Sequence, residues 1–227
     1  MLTQDWLMRQ ITMLAQVLAQ VLAQVLGLTK AGQHVQALAA INEAVQRMLG
    51  LDLDAVGKLS ASGLLTTITL GESADVSRAR RVFLAALLKE AGEIHKALGH
   101  EEARYDCNLK SLYLALDLAL GDDAAEWPDH APDIEALTGA LAAYILPAET
   151  GAKLVQYYER TGAYAKAEDV LFDMIDANPD DPDLIAMGVA FYGRLLRLSD
   201  AALEAGNLPR AEVEAGLAEL QASGEDA

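Results

Sequence analysis

The chain is poor in cysteine, aromatic residues and positive charge, and each shortage excludes something. Its single cysteine, Cys107, excludes a framework of intramolecular disulfides. The 17 Lys and Arg residues stand against 34 Asp and Glu residues, so the net charge is −17. Because a duplex repels such a surface, nucleic acid is excluded as a partner. Val, Ile and Thr together number only 29 of 227 residues, which disfavours a sheet.

Alanine and leucine are abundant instead, with 42 and 38 residues. Both are strong helix formers, and the hydrophobic fraction of 52 % provides enough apolar surface for a core. The negative charge is uneven. Residues 1–99 carry 8 acidic and 9 basic side chains, whereas residues 100–227 carry 26 and 8. This asymmetry indicates either a solvated acidic face or a field that steers a partner.

The segment Gln10–Thr29 contains no charged residue and repeats the tetrapeptide AQVL three times. Its length suits a bilayer span, but four glutamines, Gln10, Gln16, Gln20 and Gln24, would then lie in hydrocarbon. The start of the chain lacks the positive region and the cleavage site of a signal peptide. We therefore expect a soluble amphipathic helix that is buried on several sides. We expect it to self-associate through Trp6, Ile11, Leu14, Leu18 and Leu22.

Apolar residues at helical spacing predict an all-α fold of antiparallel helical hairpins. Ser77 is expected to cap a helix over 78–98, and residues 66–69 are expected to form a buried connector. The region 121–132, rich in acid and proline, is predicted to be a loop within one domain of residues 1–222, or to join two halves, 1–120 and 133–222. Residues 223–227 are expected to be a disordered tail. The other helices are predicted at 33–49, 101–120, 133–146, 149–161, 164–177, 183–205 and 209–222.

Four predicted helix ends carry a glycine that suits the left-handed conformation closing a hairpin: Gly32, Gly99, Gly162 and Gly206. At the third, the chain resembles a tetratricopeptide repeat, with Gly151 and Val155 as departures. The matching positions are Leu154, Tyr158, Gly162, Tyr164, Ala167, Leu171 and Pro179. This resemblance implies an irregular α-solenoid of stacked hairpins.

A second resemblance lies at the N-terminus, in the segment DWLMRQI at residues 5–11 and in Leu51–Asp54. These segments resemble a bacterial family of uncharacterised helical proteins that begin with an Asp-aromatic-aliphatic-Met-Arg-x-Ile run and continue into tetratricopeptide-like hairpins. The resemblance implies the same fold and transfers no activity.

The residues that most often carry chemistry are scattered. The four histidines form no pair at metal-binding spacing along a helix, and we expect no metal and no cofactor. The acidic loop around Asp122, Asp123 and Asp129 is expected to be solvated rather than to hold a cation. Cys107 is expected to be a buried small side chain. We therefore predict that the protein is not an enzyme.

In tetratricopeptide arrays the first helix of each hairpin lines a groove, so the resemblance implies partner-binding residues on two helices. These are Arg78, Arg81, Lys89 and Lys96 on one and Gln156 and Arg160 on the other. The alternative is that they are ordinary solvated faces. The sequence thus favours a cytoplasmic, homo-oligomeric protein-interaction module with an unknown protein partner. Two alternatives stay open: a membrane-attached adaptor, and a ligand sensor or enzyme with a pocket near residues 51–75.

Overall fold

The computed structural model describes residues 2–121 and 127–225, with side chains placed for 6–121 and 127–222. Across these residues there are twelve α-helices and no strand, which confirms the all-α prediction. The helices are α1 Leu2–Lys30, α2 His34–Leu49, α3 Leu53–Lys58, α4 Ala61–Thr69, α5 Ala74–Leu98, α6 Glu101–Leu120, α7 Ile134–Leu141, α8 Ala148–Thr161, α9 Tyr164–Ala177, α10 Pro182–Leu195, α11 Asp200–Ala205 and α12 Arg210–Glu225.

The chain divides into two compact units, residues 1–143 and 144–227. The boundary lies after α7, because α7 packs against α6. The acidic region 121–132, where the sequence analysis placed a junction between halves, is therefore inside the first unit. At the other end of the chain, α12 continues to Glu225, so the predicted tail begins as helix. Residues 226 and 227 lie outside the described residues.

Helix α5 is the centre of the first unit, since α1, α2, α4 and α6 all pack against it. All seven residues from Val82 to Leu88 are buried. The helix begins earlier than predicted, because the hydroxyl of Ser73 accepts a hydrogen bond from the amide of Val76. Ser77, the cap expected from the sequence, is buried inside the helix.

The connector between α2 and α5 contains two short helices. Its two short helices α3 and α4 are capped by Asp52 and Ser60. The threonine cluster lies in α4, because the hydroxyls of Thr66, Thr67 and Thr69 donate to backbone carbonyls four residues earlier. The connector is packed into the unit through side chains that are at most 2 % exposed: Val56, Leu64 and Ile68.

A buried lysine fastens this connector to α6. The ammonium of Lys110 donates to the carbonyl of Gly57 at 3.1 Å and to both carboxylate oxygens of Asp106 at 2.5 and 2.7 Å. The Lys110 side chain is 3 % exposed, whereas that of Asp106 is 36 % exposed. Two strong acceptors thus compensate the cost of burying the ammonium.

In the second unit, α8 and α9 form a hairpin, and α9 packs against α10. Helix α10 in turn packs against α12. The predicted helix 183–205 is two helices, because Ser199 caps α11 by accepting from the amide of Ala202. Gly162 ends α8 in the left-handed conformation, as do Gly32 and Gly99 at their helix ends. Gly206 does not: its φ is −86°, and Asn207 takes the left-handed position instead, with φ 57°.

A buried hydrogen bond joins α9 to α10 within the second unit. The hydroxyl of Tyr192, which is fully buried, donates to the carboxylate of Glu168 at 2.5 Å. Burial raises the pKa of Glu168, and the nearby Glu212 and Asp169 raise it further, although the hydrogen bond from Tyr192 lowers it. The folded unit therefore binds this proton more tightly than the unfolded chain does.

We expect Glu168→Gln to stabilise the second unit at pH 7, and the gain to shrink as the pH falls toward 4.5. A raised acid pKa contributes stability below the unfolded-state value, and this contribution is lost as the pH rises through the folded-state value. Hydrogen exchange of α9 and α10 between pH 4 and 7 measures the difference. The exposed Glu214→Gln is the matched control. A variant less stable than the wild type at every pH would show that the charged hydrogen bond outweighs burial.

Candidate functional site

Helix α1 buries one narrow stripe and leaves the rest of its surface open. Its buried side chains join the core formed with α2 and α5, and they are Leu14, Leu18, Val21 and Val25. Only 22 % of its most apolar stretch is buried. The expectation that α1 is covered on several sides therefore does not hold within this chain. Alanines and glutamines form the outward face: Ala15, Gln16, Ala19, Gln20, Ala23 and Gln24.

The five residues expected to mediate self-association occupy different environments. Leu14 and Leu18 are 4 % and 2 % exposed, because they face the core rather than solvent. Ile11 and Leu22 are half-buried, and Trp6 is 55 % exposed. Only Trp6 of this set is freely accessible, and the open part of α1 consists of the alanine and glutamine face together with the exposed side chains of Met8, Met13 and Leu26.

By length and composition, α1 from Trp6 to Lys30 is also able to cross a bilayer. The same test is met by signal sequences and by core helices of soluble proteins. The stripe of α1 that joins the core shows that part of this segment already packs against protein.

A groove of about 510 Å³ lies between the N-terminal halves of α1 and α5. The loop residues Pro128, Asp129 and His130 form its third side. Apolar side chains from both helices line it: Met8, Ile11, Leu14, Ala15 and Leu18 from α1, and Ala79, Val82 and Phe83 from α5. Its charged residues are Asp75, Arg78 and Asp129.

The four basic residues expected to bind a partner on α5 do not form one open patch. Arg78 lines the groove and has interactions of its own within the protein. Arg81 ties α5 to α6 through a 2.7 Å ion pair with Asp117. Lys89 pairs with Glu90 at 2.9 Å, whereas Lys96 is exposed. Arg81 therefore has a structural contact that sequence spacing did not reveal.

Gln156 and Arg160 belong to the second unit, where both are exposed on α8. Between them, Glu159 receives two hydrogen bonds from Arg194 of α10, at 2.7 and 2.8 Å. This bidentate pair holds α8 and α10 together and occupies part of the predicted groove face.

Of the region 51–75, where a pocket was expected, Asp52, Leu53 and Asp54 line a depression of about 300 Å³ beside α2 and the start of α3. Its lining includes Asn42, whose side chain accepts a hydrogen bond from the amide of Leu53 at 2.8 Å. The depression is smaller than the groove between α1 and α5, which the sequence analysis did not predict.

In the described part of the chain, the potentially reactive side chains either do not cluster into a metal site or, as with Cys107, are buried. Among the described residues there is no group of three His, Cys, Asp or Glu side chains able to hold a metal; Asp122, Asp123 and Glu126 lie outside that set. Burial raises the pKa of Cys107 to about 12, so its thiol is protonated at neutral pH.

His95 and His100 approach each other across the turn at Gly99, with ring centroids 5.7 Å apart. Burial and the neighbouring imidazole both lower the pKa of His95. The sequence analysis missed this pair, because it considered only histidines within one helix. A glycine that reverses the chain between two histidines is the signal that reveals it.

The comparison with known proteins concerns the whole chain and gives no information about the groove. Residues 1–225 match a family of unknown function, DUF6483. No curated protein and no solved structure matches the sequence. Because the match extends over nearly the full length, the chain belongs to this family.

Proposed function

We propose that the protein is a non-enzymatic interaction module of the cytoplasm that self-associates through the outward face of α1. The observation that carries the proposal is an exposed helical surface without charge over Gln10–Thr29, in a chain of net charge −17. Surfaces that stay uncharged on an acidic protein are where a second copy can approach without repulsion.

The composition of this face suits pairing with itself. Glutamine side chains both donate and accept hydrogen bonds, so Gln16, Gln20 and Gln24 can pair with the same row of a second copy. Ala15, Ala19 and Ala23 form a neighbouring row that allows two helices to approach closely. A symmetric dimer requires such a self-complementary surface.

The proposal includes tetratricopeptide-like stacking of the second unit. Support comes from the burial of Leu154, Tyr158, Ala167 and Leu171, the positions that carry the resemblance. At Gly151, where the family has Trp, a β-carbon would lie 2.3 Å from the sulfur of Met174. The glycine thus allows α9 to approach α8 in this chain.

We expect Ala19→Glu to weaken self-association at least tenfold, since each copy would then bring a charge into the interface, a cost of roughly 1.4 kcal/mol or more. Sedimentation velocity over a concentration series measures the change. Ala186→Glu, at an exposed position of α10, adds the same charge elsewhere and is expected to have no effect.

Two outcomes would overturn the proposal. One is a wild-type protein that stays monomeric at every concentration. The other is a wild-type protein that floats with lipid vesicles while Ala19→Glu does not, because the α1 face would then contact a membrane. Circular dichroism of both variants confirms that they are folded.

A further inference from the structure

We infer that the groove between α1 and α5 is a binding site for a small amphipathic amine, with an apolar chain and one positively charged head. The inference is distinct from self-association, because only Ala15 of the proposed self-association face lines the groove, whereas Ala19, Ala23 and the three glutamines do not. It is based on the size of the groove, on its apolar floor and on the sign of the charge at its rim.

The floor of the groove is built from the core itself. Leu14, Leu18, Val82 and Phe83 are at most 8 % exposed, yet all four border the open space. Ile11 and Ala79 form half-buried walls beside them. An alkyl chain laid on this floor contacts apolar atoms on two sides, and each methylene group that it buries contributes favourably to binding.

The volume favours a small molecule over a segment of a partner protein. About 510 Å³ is in the range of small-molecule sites, and three segments of this chain bound the groove. A partner helix needs a long open channel, whereas this groove is lined by only short stretches of α1 and α5 and by the loop residues Pro128, Asp129 and His130.

The charges at the rim favour a cation. Asp75 and Asp129 are exposed and carry two negative charges, against the single positive charge of Arg78. Arg78 also has an interaction within the protein. The net charge of the first unit is also negative, since residues 1–143 hold 18 acidic and 11 basic side chains.

One feature of the rim favours an anionic head group instead. The amino end of α5 has the partial positive charge of a helix dipole, which Asp75 in its first turn offsets. His130 lines the same part of the groove. The sign of the preferred head group is therefore the property to measure.

Three probes with the same eight-carbon chain isolate that property: octylammonium, 1-octanol and octanoate. Isothermal titration calorimetry of the full chain at pH 7.5 and low salt is expected to rank them in this order. We expect octylammonium to bind about tenfold more tightly than octanoate, since the charges of Asp75 and Asp129 act on the head group through water.

Two variants connect the binding to this groove. Ala79→Leu enlarges a side chain in the wall of the groove and is expected to abolish binding of all three probes, whereas Ala186→Leu on α10 leaves it unchanged. The double variant Asp75→Asn/Asp129→Asn is expected to remove the preference for the amine. Asp169→Asn/Asp173→Asn removes the same net charge from the second unit and controls for general attraction to an acidic protein.

Tighter binding of octanoate than of octylammonium would overturn the inference, and so would amine binding that Ala79→Leu leaves intact. Loss of the preference in the second-unit control would show that net charge alone attracts the amine. Because Ala15 belongs to both surfaces, the titrations are repeated with Ala19→Glu, a position that does not line the groove, so that failure of self-association and failure of amine binding are distinguished.

Discussion

Replacing Asp106 with asparagine is expected to lower the free energy of unfolding of the first unit by about 3 kcal/mol. The substitution changes the size of the side chain very little. It leaves the ammonium of Lys110, which is 3 % exposed, without its carboxylate partner. A buried charge that loses its counter-ion costs more than the pair itself contributes.

The two tryptophans make this measurement specific. Trp6 and Trp127 both lie in the first unit, so tryptophan fluorescence during urea denaturation reports on that unit alone. Midpoints and slopes from matched curves then give the change in free energy.

A substitution of Lys110, the other member of the ion pair, provides the control. Lys110→Met fills similar space without a charge and leaves Asp106 accessible to water, so we expect a loss of only about 1 kcal/mol. Asp106→Asn/Lys110→Met is therefore expected to be more stable than Asp106→Asn alone. A double variant that is no more stable would contradict the assignment of the effect to an unpaired charge.

In the second unit, Gly206→Ala is expected to cost about 3 kcal/mol, because the new methyl group has no space. A β-carbon there would lie 2.6 Å from the carbonyl oxygen of Gly162 and 2.2 Å from the ring of Tyr164. The backbone cannot yield easily, since the amide of Ala165 donates to the carbonyl of Gly206 at 3.1 Å.

Gly193→Ala is the matched control for this substitution. A β-carbon at Gly193 in α10 meets no atom within 4 Å, so the variant is expected to gain roughly 0.5 kcal/mol from improved helix propensity. Hydrogen exchange of α8 to α12 distinguishes the two outcomes, which have opposite signs. Equal effects of both variants would show that contact at Gly206 is not the cause.

Helix periodicity was a sound guide to the buried faces. In α5, Phe83, Leu87, Ala91 and Ile94 follow one another at intervals of three or four residues, and all four are buried. Their spacing of three or four residues has few explanations other than a helix on a core. Helix ends were predicted less well where a serine one turn earlier provided the cap, as Ser73 does for α5.

The open face of α1 and the groove beside it were not predictable in the same way. Periodicity indicates which residues of α1 are apolar, but the amount of surface that α2 and α5 cover depends on where those helices lie. The groove combines residues 8–18, 75–83 and 128–130, which are far apart in the sequence. The hydrogen bonds that Thr66, Thr67 and Thr69 make within α4 could not be predicted from the sequence either, since a threonine cluster favours strands by propensity alone.

The central position of α5 in the first unit has a consequence for synthesis of the chain on the ribosome. Helices α1 and α2 both pack against α5, yet both leave the ribosome before it. The α1–α2 hairpin is complete at Leu49, and at ordinary translation rates the 49 residues from there to Leu98 take about 5 seconds to make. During that delay α5 does not yet cover the leucine and valine stripe of the α1–α2 hairpin. A chaperone can therefore bind the nascent chain in this interval.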